Sequence, residues 1–140
     1  MTTGDDFIVL AGRLAAGPNS SPVVFRTAIS RAYYGGYHLT HQFLASLAIA
    51  PGERHNLHEF LCNSGNRDAE QAGKILEDLY SRRRLADYKL DRADVESAKF
   101  AQYAVELAHE FRIHLDKCRS EPAFSAMGAA IKAYREKTKR

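Results

Sequence analysis

Proline occurs at only four positions of this chain, 18, 22, 51 and 122, so long stretches are free to form helices. Within those stretches apolar residues recur three and four positions apart, which is the period of an amphipathic helix and not of a strand. A chain of 140 residues can bury one hydrophobic core. The sequence predicts an all-α protein with a single domain over 1–140. We expect an up-and-down bundle of four to five main helices, with its core at about 5–118 and a C-terminal helical extension at about 120–140.

Turn and capping residues predict where the helices begin and end. Ser21 followed by Pro22 is the order expected of an N-cap and a first helical residue, and it opens a long second helix that should end near Ala48. Asp91 or Asp94 is placed to cap a fifth helix that ends near 118. The remaining predicted helices cover 5–16, a short segment in "LHEFLCNSG", 67–88 and about 120 onwards, where "KAYREKTKR" is expected to fray into solvent.

Composition restricts the classes of partner only weakly. The net charge is +3, which by itself does not demonstrate a nucleic-acid partner. No apolar run approaches the roughly 20 residues that a membrane span needs, so we expect no membrane partner. The N-terminal segment is acidic where a signal peptide is basic, and we expect a cytoplasmic location with Cys62 and Cys118 reduced.

Two adjacent glycines interrupt the second helix in "SRAYYGGYH", residues 30–38. Gly36 falls on an apolar stripe, where it would let another helix approach closely and offset its poor helix propensity. Gly35 falls instead on the flank that carries Arg31 and His38, and we expect it to leave an opening beside them. The apolar stripe consists of Phe25, Ile29, Ala32, Gly36, Leu39, Phe43 and Leu47.

Arg31 and His38 are seven residues apart, so they share one helix face about 10 Å apart along the axis. Tyr34 and His41 are expected to project close by, on the side away from the core. An arginine can hold a phosphate bidentately, an imidazole can transfer a proton near neutral pH, and tyrosine rings can stack on bases. The spacing alone favours an exposed polar surface or a dimer interface, where Tyr and Arg are enriched.

The segment "SRRRLADYKLD" places three arginines, Arg82, Arg83 and Arg84, near the end of the fourth helix. Such a cluster can bind RNA phosphates or the acidic surface of a partner, and it can also be simply solvated. Arg83 and Asp87 are spaced as an i,i+4 ion pair. We expect Asp87 and Tyr88 to tie the helix end to a neighbouring element.

Two pairs of histidines, His38 with His41 and His55 with His58, are each one helical turn apart. A zinc site needs three or four protein ligands, and neither pair has a third ligand nearby in the sequence. We therefore expect no metal and no other cofactor. A small metal-binding protein is a rival interpretation, which requires either pair to meet a third ligand in the fold.

The motifs "SRAYYGGYH" and, about forty residues later, "LYSRRRLADY" together resemble the small prokaryotic HEPN-domain proteins. In that family a "SRAYYAAFH"-like second helix precedes a helix ending in R-x-x-A-D-Y, which corresponds here to residues 83–88. The intervening "ERHNLHEF" is similar to the family's short histidine-containing helix. The resemblance covers about Ser21 to Cys118.

This resemblance implies a helical bundle that is often dimeric. The superfamily includes metal-independent ribonucleases that act as toxins, non-catalytic members, and proteins that accompany a small nucleotidyltransferase. Its ribonucleases carry an arginine, four to six residues and then a histidine, a pattern that Arg31 and His38 match with six intervening residues. By that carry-over Arg31 stabilises the phosphate, His38 assists attack by the 2′-hydroxyl, and two protomers bring paired copies into one cleft.

The resemblance thus implies a second copy of the chain, an antitoxin or nucleotidyltransferase, and RNA as partners. The alternative is a non-catalytic regulatory protein that binds its partner through the face carrying Arg31 and His38.

Overall fold

A computed structural model of the chain describes residues 1–18, 20–52 and 56–138. Over these residues the fold is entirely helical and without strands, which confirms the all-α prediction. A 3₁₀ helix over Ala93–Glu96 precedes the fifth α-helix. The α-helices are α1 Gly4–Ala16, α2 Pro22–Ser46, α3 His58–Cys62, α4 Arg67–Tyr88, α5 Ala98–Lys117 and α6 Ala123–Thr138.

The first two helices begin with side-chain caps. The backbone N–H of Asp6 donates to the Thr3 hydroxyl, and the Asp6 carboxylate accepts from the Thr3 N–H at 2.8 Å, which forms a capping box. Ser21 caps α2 by accepting from the N–H of Val24 at 3.4 Å. The predicted start of α2 is therefore confirmed.

The predicted cap of the fifth helix is wrong. Ser97 caps α5, because its hydroxyl accepts from the N–H of Phe100 at 3.1 Å. Asp94 lies within the preceding 3₁₀ helix, where its carboxylate pairs with Arg92 at 2.8 Å. The 3₁₀ helix occupies the residues that would have begun a helix capped by Asp91 or Asp94, so α5 starts several residues later.

The second helix ends at Ser46, two residues before the predicted end. Ala48 has φ +60°, in the left-handed region that cannot continue a right-handed helix. The N–H of Ile49 then returns to the carbonyl of Leu44 at 2.9 Å. A backbone reversal at Ala48 therefore terminates α2 without a glycine.

Helix α2 is central and packs against α1, α4 and α5. Gly36 supports this arrangement, since a Cβ there would lie 3.1 Å from Leu76 in α4 and 3.7 Å from Phe111 in α5. The close approach predicted from the apolar stripe is confirmed. The largest fully buried side chains are Tyr33, Phe43, Phe60, Phe111, Ile8, Ile29, Leu44, Ile49, Leu57, Leu61, Leu76 and Leu79.

The last helix docks onto the bundle, and the end segment that we expected to fray is helical as far as Thr138. Met127 and Ile131 of α6 are buried. Near its end the Tyr134 hydroxyl donates to the carboxylate of Glu59 at 3.2 Å, and Arg135 donates to a backbone carbonyl of the 49–52 segment at 3.3 Å. The helix is thus held by packing and hydrogen bonds, and residues 139–140 lie outside the described ranges.

A buried arginine organises the end of α4. Arg26 of α2 is only 6 % exposed, and its guanidinium donates to backbone carbonyls at and just beyond the C-terminus of α4. Its charge is balanced by the carboxylate of Glu96 at 2.8 Å. The carbonyls that accept from Arg26 belong to Leu85 (3.2 Å), Ala86 (2.9 Å), Leu90 (3.4 Å) and Arg92 (2.9 Å).

Both cysteines are free thiols, as expected from their spacing. Burial raises the pKa of the Cys118 thiol to about 11, so this group stays protonated and unreactive at neutral pH. Among the helices in the described parts of the chain, none is long and apolar enough to cross a membrane.

Candidate functional site

The face of α2 that carries Arg31 and His38 is where α1 crosses it. A Cβ on Gly35 would lie 2.5 Å from Cγ1 of Ile8, and one on Gly4 would lie 2.6 Å from the carbonyl oxygen of Gly35. The two helix backbones can approach this closely only because both positions are glycine. The prediction that Gly35 leaves an opening is therefore wrong: the side chain of Ile8 occupies that space.

Phe7 of α1 joins the arginine and the histidine. Its ring makes an edge contact with the His38 imidazole, with centroids 4.9 Å apart, and the Arg31 guanidinium carbon lies 5.3 Å from its centroid. As a result Arg31 and His38 are partly buried, although we expected the surrounding face to point away from the core. Phe7 was missed by the sequence analysis; the only available signal was a lone aromatic residue in a short amphipathic helix.

Tyr34 links this group to α4. The guanidinium carbons of Arg31 and Arg83 each lie 5.3 Å from its ring centroid. Arg83 also donates to the Tyr34 hydroxyl at 2.7 Å and lies 5.2 Å from the ring of Tyr88. Phe7, Arg31, Tyr34, Arg83 and Tyr88 thus alternate ring and cation across three helices, and we call this series the arginine–aromatic ladder.

The two arginines of the ladder differ in how their charge is balanced. Arg83 pairs with the carboxylate of Asp87 at 3.1 Å, and Asp87 also accepts from Ser30 of α2 at 3.2 Å. The predicted Arg83–Asp87 pair and the link from Asp87 to a neighbouring helix are confirmed. Tyr88, in contrast, is 65 % exposed and contacts Arg83 of its own helix, so it does not tie the helix end to a neighbour.

Arg31 has no such carboxylate. Among the described residues no ion pair reaches Arg31, and its buried Nε has no hydrogen-bond partner. An unpaired buried N–H is unfavourable unless another group accepts from it, and contacts with ring faces replace only part of that interaction. The site therefore contains a cation, held between two rings, whose charge an incoming anion would compensate.

His38 is held in its neutral form. Burial lowers the pKa of His38 from its ordinary value of 6.5, and the neighbouring His41 and Arg31 charges lower it further. At neutral pH the imidazole is therefore unprotonated and able to accept a proton. His41 lies one helical turn after His38, and its Nε2 is 3.2 Å from the Tyr37 hydroxyl.

A surface cavity of about 550 Å³ opens at His38 and His41, between α2 and the start of α1. No carboxylate of the described residues lines it. The two acidic residues at the start of α1 are paired elsewhere, Asp5 with Arg112 at 2.6 Å and Asp6 with the α1 cap. Arg31 lies next to the cavity without lining it. The lining residues are Thr2, Thr3, Gly4, Phe7, Tyr37, His38, His41 and Gln42.

The three consecutive arginines point in different directions, because successive helical positions are about 100° apart. Arg83 belongs to the ladder. Arg82 pairs with Asp78 of its own helix at 2.9 Å and faces α5, where its guanidinium carbon lies 4.6 Å from the ring centroid of Tyr103. Arg84 is exposed beside Tyr80, 6.0 Å from its ring centroid. The structure therefore brings Arg31, Tyr34, His38, His41 and Arg83 together and separates Arg82 and Arg84 from the cavity.

The histidine pairs do not form a metal site in the part of the chain that the structure describes. No three His, Cys, Asp or Glu side chains converge there. His58 lies 3.9 Å from Glu77, while its predicted companion His55 falls outside the described residues.

Comparison with protein-family models, with curated proteins and with solved structures finds no match for this chain.

Proposed function

We propose that the cavity and the adjoining ladder bind the sugar–phosphate backbone of RNA and cleave it without a metal. The observation that carries this proposal is that an uncompensated cation, Arg31, and a neutral imidazole, His38, both contact the ring of Phe7. A base that is unprotonated at neutral pH can accept the proton of the attacking hydroxyl, and a cation that lacks a carboxylate can stabilise the charge that develops on the phosphoryl oxygens.

The reaction uses the 2′-hydroxyl of the substrate as the nucleophile. His38 accepts the hydroxyl proton while the 2′ oxygen forms a bond to the adjacent phosphorus. The bond from phosphorus to the 5′ oxygen breaks, and that oxygen takes a proton from water. The products are a 2′,3′-cyclic phosphate and a 5′-hydroxyl end. Arg31 stabilises the negative charge that develops on the phosphoryl oxygens.

The aromatic residues of the site favour the binding of nucleic acid over that of a free phosphate. Tyr34 and Tyr37 contact the His38 ring, with centroids 6.3 and 5.3 Å away, so their rings border the position of the reacting phosphate. Base–aromatic stacking contributes about 1–3 kcal/mol per base and tolerates any sequence. We therefore assign Tyr34 and His41 to binding and Arg31 and His38 to catalysis.

The resemblance to HEPN-domain proteins supports a wider role. We propose that the chain works in the cytoplasm as a homodimer, within a two-component module that contains an antitoxin or a nucleotidyltransferase. A second copy would place two Arg31–His38 pairs near one RNA strand.

The alternative is a non-catalytic protein whose partner covers the same face. The composition of the ladder favours this candidate, because Arg and Tyr are enriched in the centres of protein interfaces. In that case the partner's acidic group, and not a phosphate, would compensate Arg31.

An RNA-cleavage assay in excess chelator tests the proposal. Wild-type protein is compared with Arg31→Ala and His38→Ala, and with the matched controls Arg13→Ala and His109→Ala, which alter exposed residues outside the site. We expect cleavage by the wild type and both controls, a loss of at least about 100-fold in the two site variants, and cyclic phosphate ends. Absence of cleavage by the wild type across a broad panel of RNAs would support the partner-binding alternative.

A further inference from the structure

A second basic and aromatic surface lies at the far end of the ladder. It is a cavity of about 340 Å³ on α4, lined by Tyr80, Ser81, Arg84, Leu85, Tyr88 and Lys89. Two cations and two tyrosines thus border one depression, and no carboxylate lines it among the described residues. We call this depression the α4 cavity.

The ladder connects the α4 cavity with the His38 cavity. Tyr88 lines the α4 cavity and contacts Arg83, Arg83 contacts Tyr34, and Tyr34 contacts Arg31. At the other end Phe7 contacts Arg31 and lines the His38 cavity. The two cavities are therefore the ends of one continuous row of cations and rings.

The charges around the C-terminus of α4 permit an anion to bind in the α4 cavity. A helix C-terminus normally presents unpaired carbonyls and repels negative charge. Here the guanidinium of Arg26 donates to the carbonyls of Leu85 and Ala86, so that charge is offset from inside the fold. The nearby carboxylate of Asp87 is neutralised by Arg83.

We propose that the α4 cavity is a second nucleotide subsite, which holds single-stranded RNA whose scissile phosphate lies at Arg31 and His38; this inference rests on the proposed function. Arg84 and Lys89 bind a phosphate, and the exposed ring of Tyr88 stacks on a base. A single strand fits because its bases are free to reach the rings, whereas the bases of a duplex are stacked on each other.

The proposal predicts that affinity depends on the length of the RNA. We would measure binding of fluorescein-labelled oligouridines of two and eight nucleotides by anisotropy, using the chemically blocked 2′-O-methyl form so that no cleavage occurs. The wild type should bind the eight-nucleotide strand at least about tenfold more tightly than the dinucleotide. In Arg84→Ala/Lys89→Ala this advantage should fall to about twofold. The binding constant for the longer strand should also depend less steeply on salt concentration, by the equivalent of about one phosphate contact.

Two controls make the test specific. Arg67→Ala/Lys74→Ala removes the same charge from exposed positions near the other end of α4 and should keep the length advantage. Tyr88→Phe should also keep it, because the ring can still stack, whereas Tyr88→Ala should lose it.

The outcomes separate this inference from the proposed function. If the wild type cleaves and binds RNA but Arg84→Ala/Lys89→Ala retains the full length advantage, the second subsite is refuted while the catalytic proposal stands. Equal weakening by the Arg67→Ala/Lys74→Ala control would also refute the subsite, because it would indicate a general effect of charge. If the wild type binds neither strand, both proposals fail, and a protein partner would be sought for this surface.

Discussion

The Nε of Arg26 donates to the carboxylate of Glu96, seventy residues further along the chain, at 2.8 Å. This pair closes the corner where α4 ends and the 3₁₀ helix begins. Arg26 also donates to the carbonyl of Leu85, which lines the α4 cavity, so the corner supports both the fold and the surface that we propose for RNA.

We predict that Arg26→Met strongly destabilises the protein. The variant keeps an unbranched apolar side chain but removes the guanidinium that donates to Glu96 and to four backbone carbonyls. Breaking a buried ion pair in this way lowers the free energy of unfolding by about 3–5 kcal/mol. Urea denaturation followed by circular dichroism measures the change.

The matched control for Arg26 is Arg112→Met. Arg112 forms an exposed ion pair with Asp5, and such surface pairs contribute only about 0–1 kcal/mol. Comparable losses in the two variants would contradict the role assigned to Arg26.

Replacing Gly35 by alanine and replacing Gly36 by alanine should change the free energy of unfolding by different amounts. In Gly35→Ala the new methyl group meets Ile8 at 2.5 Å and the carbonyl of Gly4 at 3.0 Å, so α1 must shift. We expect the free energy of unfolding to fall by about 1–3 kcal/mol, as in other overpacked sites.

In Gly36→Ala the nearest atom is the end of the Leu76 side chain at 3.1 Å, which has some freedom to move. The gain in helix propensity of about 1 kcal/mol offsets that contact, so the net change should be small. Thermal unfolding of both variants measures the difference, and an equal loss would argue against a specific α1–α2 contact at Gly35.

Replacing Ala48 by glycine should stabilise the protein. Alanine at φ +60° is strained by about 1–2 kcal/mol, and glycine is not, although glycine makes the unfolded chain more flexible. We expect Ala48→Gly to raise the free energy of unfolding by about 0.5–1 kcal/mol.

Ala133→Gly in the middle of α6 is the control for Ala48, since its backbone is helical. It should lower the free energy of unfolding by about 1 kcal/mol. If Ala48→Gly destabilised the protein to the same extent, the left-handed conformation at Ala48 would be wrong.

Stability should depend on pH through His38. The pKa of His38 is lowered in the folded protein, chiefly by burial, so the unfolded chain binds this proton more readily. The stability contributed by neutral His38 is fully present above pH 6.5. It decreases as the pH falls below 6.5, until the pH reaches the lowered pKa of the folded state. The wild type should therefore lose more stability than His38→Gln between pH 7 and pH 5.

Nuclear magnetic resonance titration of the imidazole checks the same prediction directly. The midpoint for His38 should lie below 6.5 and should rise in His41→Gln, which removes the electrostatic effect of the neighbouring imidazole. A midpoint at or above 6.5 in the wild type would remove the support for His38 as a base.

Much of the site was predictable from the sequence because it depends on helical spacing. Arg31, Tyr34 and His38 share a face through their separations along α2, and Arg83 pairs with Asp87 one turn away. The relation of Phe7 to Arg31 was not predictable, since it depends on how α1 crosses α2. Likewise, helical spacing places Gly36 on the apolar stripe that contacts α4 and α5, but no local pattern shows that Gly35 contacts α1.

The sequence by itself determined the helical class, the cap at Ser21 and the apolar stripe through Gly36, because each follows from interactions within a few residues along one helix. The tertiary structure alone decided that Arg26 reaches the end of α4, that Ile8 occupies the space beside Gly35, and that Arg31 is left without a carboxylate. The contacts of Ile8 and Arg26 join residues 27 to 60 positions apart, and they depend on helix crossings that no local pattern encodes.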